Sequence, residues 1–388
     1  MRASIYLDHA ATAPLAPGVA EVMHEALVDA AGNPSSPHPP GRRARARVDA
    51  AGETLAALIG AEPREIVWTS GATESSNLAL RGVAEFVGHG ARIVSVVTEH
   101  PATRDTLAVL AKKGVTVDWL PVDEGGAIDP DELAAALAQG PDLVSIMHVN
   151  NETGVIHDIP AIAEQCAAAG VALHVDAAQS LARLAIDVRR TPIALMSLSA
   201  HKIGGPKGIG ALYIRRRMPR IGLAPQIIGG GQQRGLRAGT LSTHQIAGFG
   251  AAAAHAARHG VAAQPAWARL RDALWDAIAP VGGLHRNGRP EHTAAPFLSV
   301  SVSGVHGAAL VAGLNEGEPE LAVSAGAACS AAKGESSHVV RAMGRSPREA
   351  AATIRFSLGP GVDDAAIAAA GQRFTDEVTR LRALAAAV

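Results

Sequence analysis

Seven short apolar runs rich in valine and isoleucine alternate with helix-like stretches between residues 65 and 216, and this alternation limits the fold most. The runs are EIVWTS (65–70), RIVSVV (92–97), VTVDWLPV (115–122), LVSIMHV (143–149), ALHVDA (172–177), LMSLSA (195–200) and ALYIRR (211–216). Between several of them lie Ala/Leu-rich segments with helical spacing, at 101–113, 130–139 and 158–169. Strands this apolar are buried on both faces, and strand–helix alternation predicts an α/β domain with a mostly parallel sheet. Ligands bind such sheets beyond the carboxyl ends of the strands.

The texture changes after about residue 255. A long Ala-rich helical region (246–279) leads into Gly/Pro-punctuated segments. FLSVSVSG (297–304) and TIRFSLG (353–359) then alternate like strands of a half-exposed sheet. A chain of 388 residues is long for one simple domain. The expected division is a large domain at 13–255 and a smaller α+β domain at 256–388, joined by residues 1–12. GHG, GGG and GNPSSPHPPG read as loops, not linkers.

Composition narrows the class. The 35 basic and 36 acidic side chains nearly cancel, which argues against nucleic acid or an anionic membrane as the main partner. Two cysteines, Cys166 and Cys329, make no disulfide framework, so a reducing cytoplasm is expected. The N-terminus MRASIYLDHAAT lacks a signal-peptide apolar run, and no stretch approaches the roughly 18 apolar residues of a spanning helix. There are only five lysines against thirty arginines, so a lysine here is more often needed for its amine.

Four strand ends carry reactive or anion-binding residues. In SAHKIGGPKG (199–208), Lys202 sits where a strand runs into a glycine-rich turn. It is either a surface lysine or one placed to form a Schiff base with a carbonyl cofactor. A phosphate loop of the G-x-x-x-x-G-K-[ST] type is excluded, because Gly208 follows Lys207. In ALHVDAAQS, Asp176 ends a strand and is either a helix cap or the partner of a protonated pyridine nitrogen. Gln179 could hydrogen-bond a ring hydroxyl. In WTSGATESSN (68–77), a turn runs into a helix near Thr73, giving an anion site or a simple capped helix. In TEHPAT (98–103), His100 is either structural or a proton carrier lying on a cofactor ring.

In this order and spacing, the chain resembles the cysteine desulfurases of the class V aminotransferase family. The matching motifs run from YLDHAAT (6–12), GNPSS (32–36), TSGATES (69–75) and TEH (98–100) to MHVNNETG (147–154) and HVDAAQS (174–180). They continue through SAHKIGGPKGIGALY (199–213), GGGQQRGLRAGT (229–240), SAGAACS (324–330) and IRFSLG (354–359). The resemblance implies a fold-type I transferase dependent on pyridoxal 5'-phosphate, converting L-cysteine to L-alanine. It implies Lys202 as the Schiff-base lysine, Asp176 at the pyridine nitrogen, Gln179 at the ring hydroxyl and His100 stacked on the ring. Ala72, Thr73, Ser199 and His201 would hold the phosphate, joined by Thr240 from the other subunit of a homodimer. Asn151 and Arg355 would bind the substrate carboxylate. Cys329 would take the sulfur as a persulfide, for a sulfur-acceptor protein of unknown identity.

The residues around Cys329 agree with that role. SAGAACSAAKGESS (324–337) is small and glycine-punctuated, so a mobile loop is expected. A free thiol is only about 3% thiolate at pH 7, and Lys333 or a nearby histidine would raise that fraction. Cys166, in the helical AEQCAAAG, reads as packing. The chain ends at Val388 without the polar tail that contacts the iron–sulfur scaffold in housekeeping members of the family. Another thiolation pathway is therefore as well supported as iron–sulfur assembly. The alternatives are a selenocysteine lyase or other lyase of the same fold, and a silent scaffold in a sulfur-transfer complex. No metal site is expected.

Overall fold

The computed structural model describes residues 4–29, 32–217, 221–326 and 336–387. Seven strands form the main sheet: β2 (Ile66–Thr69), β3 (Arg92–Val96), β4 (Thr116–Leu120), β5 (Leu143–Met147), β6 (Ala172–Asp176), β7 (Leu195–Ser199) and β8 (Gly210–Ile214). Their order is β2-β8-β7-β6-β5-β3-β4, and only β8 runs antiparallel to its neighbours. The seven apolar runs correspond to these seven strands, and the fold is α/β as expected.

Helices cover both faces because successive strand residues point to opposite sides. Ile66, Trp68, Val94, Val144, Val175 and Met196 pack on one side, with α2 (Pro39–Ile59), α5 (Pro130–Leu137), α6 (Ile159–Ala168) and α7 (Thr243–His259). Val67, Ile93, Leu143, Leu195 and Leu212 pack on the other, with α3 (Ala72–Val87) and α4 (Pro101–Ala111). Several helices start alike. His38, His100, Asp129 and Asp158 each accept a backbone N–H from the first turn of α2, α4, α5 and α6, with proline at the first or second helical position. Proline fits there because that N–H needs no partner.

A second sheet, order β12-β13-β10-β9, is antiparallel and combines Leu284–Arg286 (β9), Phe297–Val302 (β10), Ser324–Ala325 (β12) and Thr353–Ser357 (β13). Its apolar side packs against α8 (Gln264–Ile278), α9 (Gly307–Glu316) and the C-terminal helix Asp364–Ala386. The N-terminus joins this unit. Strand β1 (Ser4–Tyr6) pairs with β11 (Glu320–Ala322), Leu7 enters the same apolar cluster, and Asp8 bridges to Ser357.

Two expectations are corrected. The helical region 246–279 is two helices, α7 and α8, separated by a short turn at Val261–Ala263, with Pro265 opening the second. Strands β10 and β13 are buried along their whole length, not half-exposed. Their hydroxyls are satisfied internally. Asn287 Nδ2 donates to Ser299 Oγ (3.2 Å) and Ser301 Oγ (3.0 Å), and Ser301 Oγ lies 2.8 Å from Thr353 Oγ1. Alternation of serine with valine looks like a wet face, but small hydroxyls can equally form a dry, bonded one.

Candidate active site

The carboxyl ends of the parallel strands open into a cavity of about 670 Å³, bordered by Lys202, His100, Asp176, Asn151, Glu152 and Arg355 among others. The glycines of the surrounding turns make the approach possible. A Cβ on Gly210 would sit 2.5 Å from Leu198 O and 2.6 Å from the Gly71 backbone, so β8 can pass under the Ser70–Thr73 turn only without a side chain. The first turn of α3 then presents Ala72 and Thr73 to the cavity, where helix N–H groups have no intrahelical partner. Glu74 closes this turn, accepting from Ser70 N–H (2.7 Å) and pairing with Arg237 (2.8 Å).

Lys202 follows the end of β7, and its Nζ donates to Ala10 O (2.5 Å) and Ala11 O (2.9 Å) of the N-terminal segment. Burial, then Arg355 and Arg183, push its amine down to about 7. Asp176, the last residue of β6, is buried. One of its oxygens accepts from Ala178 N–H (2.9 Å), and burial raises its pKa against the pull of His100 and Lys202. His100 caps α4 through Nδ1, which accepts from Ala102 N–H at 3.1 Å. Its proton is therefore on Nε2, and burial holds the ring below its ordinary pKa.

Ser199 and His201 border the same cavity. His201 Nδ1 lies 3.3 Å from Thr12 Oγ1, and burial with Lys202 and Lys207 lowers it to about 4. Gln179 also borders it. Its amide donates to Ala10 O (2.9 Å) and accepts from Arg183 Nη1 (3.0 Å). Arg355, on β13, pairs with Asp8 at 2.6 Å and donates to Asn151 O at 2.7 Å, which leaves its Nε without a hydrogen-bond partner. Thr240 is exposed and does not border its own chain's cavity. Cys329 and Lys333 lie outside the described residues. Cys166 is buried in α6, and burial pushes its thiol up to about 12.

Several site residues escaped the sequence reading. Asp8 fixes Arg355, and the only hint was its place in YLDHAAT. Glu99 and Glu152 are buried beside the site, and Arg183 donates to both Gln179 O (2.7 Å) and Lys202 O (3.3 Å). His338 borders the cavity, with Nε2 3.0 Å from Glu99 O. Asn150 organises the turn after β5. Its Oδ1 accepts from Glu152 N–H and Thr153 N–H, and its Nδ2 donates to Thr98 O.

The aminotransferase class-V family profile matches residues 5–369. A cysteine desulfurase IscS of Shewanella frigidimarina (strain NCIMB 400) is 46% identical over 386 residues, covering 98% of this chain and 94% of that protein. A cysteine desulfurase IscS of Pectobacterium carotovorum subsp. carotovorum (strain PC1) is 47% identical over 363 residues, covering 92% and 89%. Among solved structures, a NifS-like protein superimposes with a TM-score of 0.90 at 32% identity, covering 98% of this chain and all of that one. A second, described as SspA in complex with cysteine, gives a TM-score of 0.80 at 34% identity, covering 92% and 99%.

Proposed function

The chain belongs to the class-V aminotransferases, among their cysteine desulfurases, and from that premise we propose how its own residues divide the reaction. The family is dependent on pyridoxal 5'-phosphate, and the cavity suits that group. A buried carboxyl, Asp176, has an oxygen to spare; a near-neutral amine, Lys202, rests only on two carbonyls; and a helix start borders the same space. Lys202 would hold the cofactor covalently, Asp176 its pyridine nitrogen, Gln179 its ring hydroxyl, and Ala72, Thr73, Ser199 and His201 its phosphate, with Thr240 supplied by a second copy. When bound, pyridoxal phosphate supplies an electron sink.

Every further step is assigned to the protein. Arg355, oriented by Asp8 and turned toward Asn151, binds the carboxylate of L-cysteine. A relative described in complex with cysteine supports that substrate. Lys202, with a pKa near 7, takes and returns a proton at Nζ under neutral conditions. His100 offers Nε2–H from a fixed ring. The Cys329 thiolate attacks the substrate sulfur. An S–S bond forms, the C–S bond breaks, and the freed carbon takes a proton to leave as L-alanine. The persulfide then passes to an acceptor protein.

We also read residues 13–255 and 256–388, the latter with 1–12, as two domains, which their separate apolar clusters support. A cytoplasmic homodimer completes the reading. Among the described residues, no helix is long and apolar enough to cross a membrane.

The observation that carries the assignment is the meeting of the Lys202 amine, Asp176, His100 and Arg355 around one cavity. Its test separates sulfur transfer from cofactor binding. Cys329→Ser is expected to keep the cofactor and the absorbance change on adding cysteine while losing persulfide formation, because a hydroxyl is a poor nucleophile toward sulfur. Cys166→Ser leaves turnover close to wild type. Alanine release by Cys329→Ser at the wild-type rate would remove the nucleophile and leave a generic lyase; persistence with selenocysteine alone would favour a selenocysteine lyase.

A further inference from the structure

We propose that Arg183 is a positioning residue: its guanidinium holds the side-chain oxygen of Gln179, so that the amide NH2 faces the cavity as the donor to the cofactor's ring oxygen. Arg183 is 8% exposed, yet none of the steps above uses it. Its Nη1 donates to Gln179 O (2.7 Å) and Gln179 Oε1 (3.0 Å), and its Nη2 donates to Lys202 O (3.3 Å). The guanidinium also lies over the Phe297 ring, 5.8 Å from its centre. Among the described residues no carboxylate pairs with it, and burial with Arg355 pushes it down to about 10. A buried cation without a counter-ion costs stability. Ala182, just before it, holds a left-handed φ of +63°, a further cost for a residue other than glycine. Both costs fall beside the two residues that face the cofactor.

The oxygen and nitrogen ends of an amide have nearly the same shape, so packing does not choose between the two orientations of Gln179. Its neighbours do. A guanidinium only donates, and a backbone carbonyl only accepts. Arg183 therefore takes Oε1, and Ala10 O takes one N–H of Nε2 at 2.9 Å. The second N–H has no partner among the described residues, although Gln179 is 4% exposed and borders the cavity. Polarisation by the adjacent cation makes that N–H a stronger donor.

The same carbonyl sets this donor beside the lysine. Ala10 O also accepts from Lys202 Nζ at 2.5 Å, so the two nitrogens share one oxygen. In pyridoxal phosphate the aldehyde and the ring hydroxyl stand on neighbouring ring carbons. A lysine that takes the aldehyde and an amide that meets the hydroxyl therefore need to sit side by side, as these do. One guanidinium touches both, at Gln179 Oε1 and at Lys202 O. The other charges facing the Lys202 amine are Arg355, Asp8 and Asp176, with the imidazoles of His100 and His201 close by.

The inference rests on the reading of Gln179 as the partner of the ring hydroxyl. Its test compares Gln179→Leu, Arg183→Met, Arg183→Lys and the double variant Gln179→Leu/Arg183→Met in the full chain. Two readouts need no turnover: the Kd for pyridoxal phosphate added to cofactor-free protein, and the pH midpoint of the bound cofactor's absorbance. A donor on the ring oxygen favours its anionic form, so losing that donor raises the midpoint. Gln179→Leu and Arg183→Met are each expected to weaken Kd about 10-fold and to raise the midpoint by about one pH unit. Arg183→Lys, still a cation that only donates, is expected to recover most of both. The double variant is expected to be about as impaired as Gln179→Leu alone, since Arg183 acts through that amide. Wild-type Kd and midpoint in Arg183→Met overturn the proposal. So do additive losses in the double variant, which would mean that Arg183 acts on the site without Gln179. Should Arg183→Met fail to fold, Arg183→Gln takes its place, because an amide can donate or accept and no longer dictates the orientation. If Gln179→Leu itself keeps the wild-type Kd and midpoint, the reading of Gln179 is what has failed, and the role of Arg183 falls with it.

Discussion

The amine of Lys202 is set by opposing neighbours. Burial, Arg355 and Arg183 favour its neutral form, Asp8 and Asp176 the charged one, and the result is a pKa near 7. The unfolded chain keeps a lysine near about 10.4. Between these values the unfolded state binds more protons, so this group's contribution to stability rises with pH through that window. Below about 7 both states are protonated, and the folded state bears the whole cost of the buried charge. Cofactor-free protein is therefore expected to gain denaturant resistance between about pH 7 and pH 10, and Lys202→Met to flatten that part of the profile. Parallel profiles for the two proteins would refute the shifted amine. The gathering of Lys202, Asp176 and His100 around the cavity was legible because each lies at or just past the carboxyl end of a strand. Asp8, Arg183 and Glu152 were not, because a charged residue declares its partner only after distant segments meet.

Turns matter as much as strands at the next scale. Gly154 closes the Asn150–Gly154 turn with φ +76°, and a Cβ there would lie 2.3 Å from Phe297 Cβ. Gly154→Ala thus combines left-handed backbone strain with overpacking, for an expected loss of about 3 kcal/mol. Urea unfolding measures it, and a midpoint equal to wild type would show that β10 yields more readily than its packing implies. Since the same turn carries Asn151 and Glu152, turnover is expected to fall as well. The helical segments at 101–113, 130–139 and 158–169 were readable from their Ala/Leu spacing. The break between α7 and α8 was not, since an Ala-rich run has the same local preference on both sides of it. Nor was the burial of β10, because alternating Ser and Val describes a pleat, not what covers it.

The assembled molecule raises the question of Thr240. Its loop is pinned to its own chain by Arg237 on Glu74 (2.8 Å) and by Gln233, whose amide pairs with Trp68 N–H (2.6 Å) and Trp68 O (2.8 Å). Thr240 itself remains exposed at the end of that loop. If it completes a partner's phosphate site, mixing Lys202→Ala and Thr240→Val subunits restores activity in the heterodimer, which carries one unaltered site. Full activity and cofactor occupancy in a monomer, by sedimentation, would refute the shared site. By itself the sequence determined the fold class, the seven strands of the main sheet and the placing of Lys202, Asp176 and His100 at or just past strand ends. Those depend on periodicity, capping and turn chemistry, which act within a few residues. Tertiary structure alone decided which charges face Lys202, which carboxylate steadies Arg355, and that Ser337 meets Glu152. Each of those depends on a distance between segments far apart in the chain, and burial turns such distances into pKa shifts and hydrogen bonds.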